Sequence, residues 1–366
     1  MQQELRQRVL DLAAEIQQIP APTFSEQERA VFLHNRFQLE GLEDVSRDEL
    51  GNVIARIPGH GQANPVILSA HSDTVFPKDT NLALVKESTR WQGPGIGDNS
   101  LGIASLFGLH WSIQSLDLTL PGDIWLAANV GEEGMGNLIG MQAIVERFGR
   151  EVLAYIVLEG MLLGYVYHRG LGVKRYLIEV ATAGGHSWGD HGLPSAIHEM
   201  AALVQQLARI RLPKDPRTSL NAGVIRGGVS VNTIAPRAEI ELDIRSEEVG
   251  QLNKLAHKVQ QLVEAANRDG VQVKIELVGE RPVGAIPIDH PLVQAAVAVL
   301  EELGVPTELS IGSTDANVPL SLGYPAVCLG LTRGGLSHTV DEYIHTEPLQ
   351  EGLAQIVALV RRLFEA

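Results

Sequence analysis

Val66-Ile67-Leu68-Ser69-Ala70-His71-Ser72-Asp73-Thr74-Val75 is the stretch that decides how this 366-residue chain is read. Its first half is a short, β-branched apolar run, the pattern of a strand buried on both faces of a sheet. Its second half sets His71 and Asp73 just past the strand's carboxyl end, where open α/β sheets hold their ligands. Residues two apart in an extended segment point the same way. The Asp73 carboxylate can therefore hold one imidazole nitrogen and leave the other for a metal. Alone, a His-x-Asp pair is more often a hydrogen-bonded loop pair than a metal site.

Upstream of this stretch, Leu5, Val9, Leu12, Ala13 and Ile16 recur at helical spacing, and Pro20 and Pro22 end the run. Ser25-Glu26-Gln27-Glu28 reads as a capping box opening a second helix that ends near Gly41. A strand is expected over 52–57, just before the one that carries His71. Downstream, the glycine-rich stretch Gly93-Pro94-Gly95-Ile96-Gly97-Asp98-Asn99 leads into an apolar helix over 103–113. It has no Walker lysine, and Asp98 would repel a phosphate, so a turn that delivers a carboxylate fits better. A strand over 123–130 ends in Gly131-Glu132-Glu133-Gly134, and another over 153–158 ends in Glu159-Gly160. In a parallel sheet such ends lie along one edge, an arrangement compatible with a shared site.

From about Gly170 the rhythm changes to strand 171–181, helix 195–208, strands 218–225 and 237–245, helix 247–267 and strand 271–278. That β-α-β-β-α-β order is ferredoxin-like. After Arg281-Pro282 the α/β pattern resumes with helix 291–303, strands 308–311 and 326–329, and a last helix over 349–364. The expected architecture is an α/β domain formed by 1–168 and 282–366, interrupted by an inserted α+β domain over 169–281.

Bulk properties narrow the function. With 44 acidic against 29 basic side chains the net charge is −15. That argues against a nucleic-acid or anionic-membrane partner. Cys328 is the sole cysteine, so no internal disulfide can form. The N-terminal region has no apolar signal core and no apolar run is long enough to span a bilayer, so a cytoplasmic protein is expected.

In order, the motifs resemble those of the M20 metallopeptidase family, the di-zinc peptidases and amino-acid deacylases. His71-Ser72-Asp73-Thr74-Val75, Gly97-Asp98-Asn99, Glu132-Glu133-Gly134, Glu159 and Ser337-His338-Thr339-Val340-Asp341-Glu342 match its metal motifs in sequence. Gly184-Gly185-His186-Ser187, Gly227-Gly228-Val229-Ser230-Val231-Asn232 and Arg281-Pro282 match within and at the exit of the inserted domain. The resemblance implies a zinc-peptidase-like catalytic domain, with helices on both faces of a mixed sheet, and a ferredoxin-like dimerisation or lid domain. It implies two Zn²⁺ ions, with Co²⁺ or Mn²⁺ also acceptable to so many carboxylates. Asp98 would bridge them, His71 and Glu159 would complete one site, and Glu133 and His338 the other. A cis peptide after Asp98 belongs to the same pattern.

By the same resemblance Asp73 orients His71, and Glu132 is the general base on a metal-activated water. His186 would reach the active site of a partner subunit in a homodimer and stabilise the oxyanion. Asn232 and Arg281 would hold a substrate carboxylate. Glutamate rather than aspartate at position 159 resembles the carboxypeptidase and deacylase members, while Gly131-Glu132-Glu133-Gly134-Met135-Gly136 also resembles tripeptidase-like ones. The expected reaction is amide hydrolysis in small peptides or N-acyl amino acids. Rival readings are removal of acetyl or succinyl groups, a tripeptidase-like aminopeptidase, and a non-catalytic metal- or peptide-binding member of the fold.

Overall fold

The computed structural model describes residues 2–365. The chain folds into two compact units, one running to Gly170 and resuming at Gly284, the other spanning Leu171–Val283. The first unit opens with helices α1 (Gln2–Gln17) and α2 (Gln27–Leu39) and strands β1 (Glu43–Arg47), β2 (Val53–Ile57) and β3 (Val66–His71). Two short strands follow, β4 (Val85–Lys86) and β5 (Arg90–Gln92). Then come α3 (Gly102–Ser115), β6 (Ile124–Asn129), α4 (Ile139–Phe148), β7 (Ala154–Glu159) and β8 (Tyr165–Gly170).

The second unit holds β9 (Gly172–Thr182), β10 (Gly185–His186), α5 (Ala196–Ala208), β11 (Thr218–Gly227) and β12 (Thr233–Ile234). It ends with β13 (Arg237–Ser246), α6 (Val249–Ala266) and β14 (Val271–Arg281). The first unit resumes with β15 (Gly284–Ala285), α7 (Pro291–Glu302), β16 (Glu308–Gly312), α8 (Asn317–Ser321) and β17 (Ala326–Gly330). The short strands β18 (Gly334–Gly335) and β19 (Tyr343–His345) precede α9 (Leu349–Glu365).

The large sheet runs β1-β2-β6-β3-β7-β17-β8-β15, with β16 added on β8. Its centre, β6, β3, β7 and β17, is parallel. The antiparallel strands β2 and β8 flank it, so the sheet is mixed. Every residue of β3 is buried, and a strand with no exposed residue must be covered on both faces. Burying Val66, Ile67 and Leu68 favours the fold by roughly 1.5–3 kcal/mol each. Helix α3 is buried from Gly102 through Ile113 and packs on β3, β6 and β7. Its Phe107 stacks on Phe37 of α2, with centroids 4.5 Å apart. Cys328 lies at the middle of β17, between Val157 and Tyr167 of its two neighbours, and is fully buried.

In the second unit an antiparallel sheet of order β11-β13-β9-β14 carries α5 and α6. Along β13, Ile240, Leu242 and Ile244 point into the core and alternate with Glu239, Glu241 and Asp243, the period-2 pattern of a half-buried sheet. Its β-α-β-β-α-β connectivity gives the strand order expected of a ferredoxin-like unit. Among the described residues no helix is long and apolar enough to cross a membrane.

One local expectation fails. The capping box at Ser25–Glu28 does not form. Helix α2 begins at Gln27 behind Glu26, whose side chain makes no cap bond. Glu26 is buried, and its Oε1 accepts the main-chain N–H of Gly131 at 3.2 Å instead. A buried donor across the fold outcompetes a helix end that solvent can satisfy.

Candidate metal centre

Parallel pairing sets the site. His71 closes β3 and pairs with Asn129, the last residue of β6. The chain leaving β6 turns at once through Glu132 and Glu133, and Glu159 closes β7. The three strand ends thus bring one imidazole and three carboxylates to a common edge. Asp98 arrives from the irregular turn Ile96–Leu101, where its φ of −112° and ψ of 89° leave the helical region. The peptide that follows it is cis. His338 sits in the loop between β18 and β19 at φ 64°, its side chain 54% exposed against 2% for His71.

Five of these side chains converge. His71 Nε2 lies 3.1 Å from Asp98 Oδ1 and 3.7 Å from Glu159 Oε2. His338 Nε2 lies 3.2 Å from Asp98 Oδ2 and 3.3 Å from Glu133 Oε1. Across the two groups, His71, Asp98 and Glu133 offer ligand atoms within 4.8 Å of one another. Asp98 therefore turns one oxygen to each group. Two imidazoles and three carboxylates are a donor set for divalent transition metals.

The electrostatics fit positive charge at this place. Burial alone would hold His71 neutral, yet the carboxylates of Asp73, Asp98 and Glu159 push its pKa well above the usual value. His338, facing Asp98 and Glu133, is pushed up to about 10. Burial works against the charge of Asp98, but His338 and His71 hold it well below the ordinary carboxylate range. Burial raises Glu159, and the neighbouring Asp98 and Glu133 add to it.

Asp73 does more than face His71. His71 Nδ1 lies 3.1 Å from the main-chain carbonyl of Asp73 and 3.5 Å from its carboxylate. The nearer acceptor is the carbonyl. The carboxylate itself accepts from Glu132 N at 3.0 Å, Glu133 N at 2.9 Å and Thr23 Oγ1 at 2.9 Å. It thereby fixes the turn that presents both glutamates.

The profile of peptidase family M20/M25/M40 matches residues 67–362. The chain belongs to this family. It is a metallopeptidase-type hydrolase. The succinyl-diaminopimelate desuccinylase of Corynebacterium glutamicum is 24% identical over 360 residues, 95% of this chain and 92% of that protein. A tripeptidase structure from Staphylococcus aureus superposes with a TM-score of 0.83 at 22% identity, covering 99% of both chains. An M20 dinuclear metal-binding peptidase from Bacillus subtilis superposes at 0.70 with 17% identity, again over 99% of both. These structures share the fold.

In the M20 protein's second unit, His186 is exposed and paired with Thr233 through β10 and β12. Its Nδ1 accepts the main-chain N–H groups of Trp188 and Gly189, each at 3.2 Å. That pattern assigns the proton of a neutral ring to Nε2, which is left as a donor. Asn232, also exposed, accepts Ser187 N on its carbonyl at 3.0 Å and so neighbours His186. Arg281 is the last residue of β14, opposite Val173, and is buried.

Three buried side chains around the centre belong to none of the candidate ligands. Arg29 is fully buried and donates to the carbonyls of Ser72 at 2.8 Å and Ile19 at 2.6 Å, which ties α2 to the His71 strand end. Its signal was available: Arg29, Leu33 and Phe37 form one buried stripe on α2, and a charge inside an apolar stripe needs a partner. Glu342 is buried, and its Oε1 accepts the main-chain N–H of Gly97 at 2.7 Å and of Asp98 at 2.9 Å. Burial and the charge of Asp98 push its carboxyl up to about 7. Asp315 is fully buried beneath the site and accepts Asn129 Nδ2 at 2.7 Å. Burial lifts it to about 7 as well. Its polar setting, Gly312-Ser313-Thr314-Asp315, reads as an ordinary loop, and nothing in it signals burial.

Proposed function

We propose that this M20 protein hydrolyses an amide bond in small peptides or N-acyl amino acids, using two divalent cations. The observation that carries the reading is Asp98, whose Oδ1 faces His71 and whose Oδ2 faces His338. His71, Asp98 and Glu159 would hold one ion, and Glu133, Asp98 and His338 the other. Zn²⁺ suits the mixed nitrogen and oxygen donors, and Co²⁺ or Mn²⁺ would be accepted. Bound there, the cations supply Lewis acidity toward a carbonyl and acidify water.

The chain's own groups complete the reaction. Glu132 is buried in the turn that Asp73 anchors. It takes a proton from the attacking water as the new C–O bond forms. It returns that proton to the nitrogen as the C–N bond breaks, so no charge is left behind. His186, with its donor at Nε2, would stabilise the oxyanion in the partner subunit of a homodimer. Asn232 and Arg281 would receive a substrate carboxylate. Cytoplasmic residence accords with the acidic composition and single buried thiol.

A deacylase reading is favoured by the likeness to the desuccinylase, and a tripeptidase reading by the likeness to the S. aureus tripeptidase. Metal analysis and one substrate panel separate them. Dipeptides, tripeptides and N-acetyl and N-succinyl amino acids are assayed as free acids and as C-terminal amides. Two ions per chain, a strong preference for free acids, and a smaller preference in Arg281→Ala are expected. Release of N-terminal residues from tripeptides regardless of amidation would establish the tripeptidase reading and remove the role of Arg281. Asp98→Ala should lose both ions and nearly all turnover. Retention of two tightly held ions would sink the bridging assignment.

A further inference from the structure

The two halves of the centre are built differently. His71 and Glu159 stand on the ends of adjacent central strands, and His71 is almost completely enclosed. His338 stands on a loop, half exposed. That loop is tight: Thr339 N and Oγ1 both donate to the carbonyl of Leu336, and Glu342 N donates to the carbonyl of Thr339. Leu336 and His338 both adopt positive φ, 59° and 64°. A loop with such backbone angles holds its place only where its surroundings determine it.

The loop is held by the pairing of its flanking strands, by Gln92 Nε2 donating to Asp341 Oδ1 at 3.1 Å, and above all through Glu342, four residues past His338 and fully buried. Its main-chain carbonyl accepts Gly93 N at 2.8 Å, and its Oε1 accepts Gly97 N and Asp98 N. One side chain on the histidine loop thus grips the main chain of the bridging aspartate. The arrangement parallels Asp73, whose carboxylate grips the amides of Glu132 and Glu133. Each carboxylate fixes a ligand-bearing turn through backbone N–H groups.

We propose that Glu342 is a positioning residue that sets the spacing between His338 and Asp98, and thereby the affinity of the Glu133–His338 half of the centre. This rests on the two-cation reading. The His71–Glu159 half owes its geometry to the sheet and is already formed. The other half depends on how firmly the loop is docked. Ions should therefore load in order, the strand-borne half first, with Glu342 governing how far the second lags.

The test is titration of metal-free protein with Zn²⁺ against a chromophoric chelator, repeated with Co²⁺ and read by its visible absorption. Wild type should bind two ions. Glu342→Ala should keep one near wild-type affinity and bind the second 10–100-fold more weakly, the usual effect of losing an outer hydrogen bond. Glu342→Gln should bind both, because an amide oxygen can accept the same two N–H groups. His338→Ala should reproduce the selective loss. Equal weakening of both ions in Glu342→Ala, or no weakening, would overturn the proposal. Should that variant not fold, Glu342→Asp, whose carboxylate falls short by one methylene, takes its place. It should show the selective loss while Glu342→Gln does not, and the reverse order would count against the proposal. A wild-type protein that binds only one ion defeats the two-cation reading and this inference with it. Two ions with no Glu342 effect defeats the inference alone.

Discussion

Asp73 Oδ1 accepts the main-chain N–H of Glu132 at 3.0 Å, so the strand end that carries His71 also fixes the position of the proposed base. Asp73→Asn keeps the size but turns one accepting oxygen into a donor that faces an N–H or Thr23. Glu132 and Glu133 should shift together. A displacement on the order of 1 Å at such a site costs about 10²-fold in rate, and an unmatched buried N–H costs roughly 1–3 kcal/mol of stability. Both kcat and the unfolding midpoint should fall. A variant that lost kcat with unchanged stability would mean that Asp73 acts on the chemistry alone.

Glu132→Gln preserves the shape of the turn and removes the base. A general base contributes ~10²–10⁴-fold, so kcat should drop by that order while metal content stays at the wild-type level. Metal analysis decides the assignment. Loss of an ion would show that Glu132 and Glu133 exchange the roles given to them here.

The two imidazoles make the metal-free protein sensitive to base. His338 has a folded pKa of about 10, above the ~6.5 of an unfolded histidine. Between those values the folded state binds the extra proton, so stability is fully present below ~6.5 and is lost as pH rises toward 10. Tm measured in chelator should decline across that window, and His338→Ala should flatten the decline. Uptake of a cation must release the same proton, so apparent metal affinity should rise over the same range. A Tm that rose with pH would show that His338 is neutral in the folded chain.

If His186 acts across a dimer, one active site needs Glu132 from one subunit and His186 from the other. Glu132→Ala and His186→Ala proteins, each inactive, should complement after dissociation and joint reassembly. With random pairing about half the dimers are mixed and each regains one of two sites, so about a quarter of wild-type activity should return. Subunit exchange is checked with differently tagged chains. Proven exchange without recovery would confine His186 to its own chain.

The parts of this fold that were legible in sequence are those where composition and burial agree. Val66–Leu68 and 154–158 are apolar without interruption because the strands they form are enclosed on both faces. Strand β1, Glu43–Arg47, carries the sequence EDVSR and has no buried residue. An edge strand that faces water leaves no periodicity to read. Strand β8 is hard to read for another reason: only Leu171 separates it from β9, so the two strands run together in the sequence. The candidate ligands could be named from their motifs. Their supports could not, since Thr23, Glu26 and Arg29 meet their partners at the centre across separations of 50, 105 and 43 residues.

Cys328 has a use that no motif would suggest. It is the sole thiol of the chain, enclosed between β7 and β8, and burial pushes its pKa far above the ordinary range. A thiol reagent can meet a reactive thiolate there only when the centre of the sheet comes apart. The rate of its modification under native conditions therefore times that opening. Added Zn²⁺ should slow the rate in proportion to how strongly bound ions hold the parallel strands together. The chain thus carries, without engineering, a single-site clock for the coupling between its metal centre and its core.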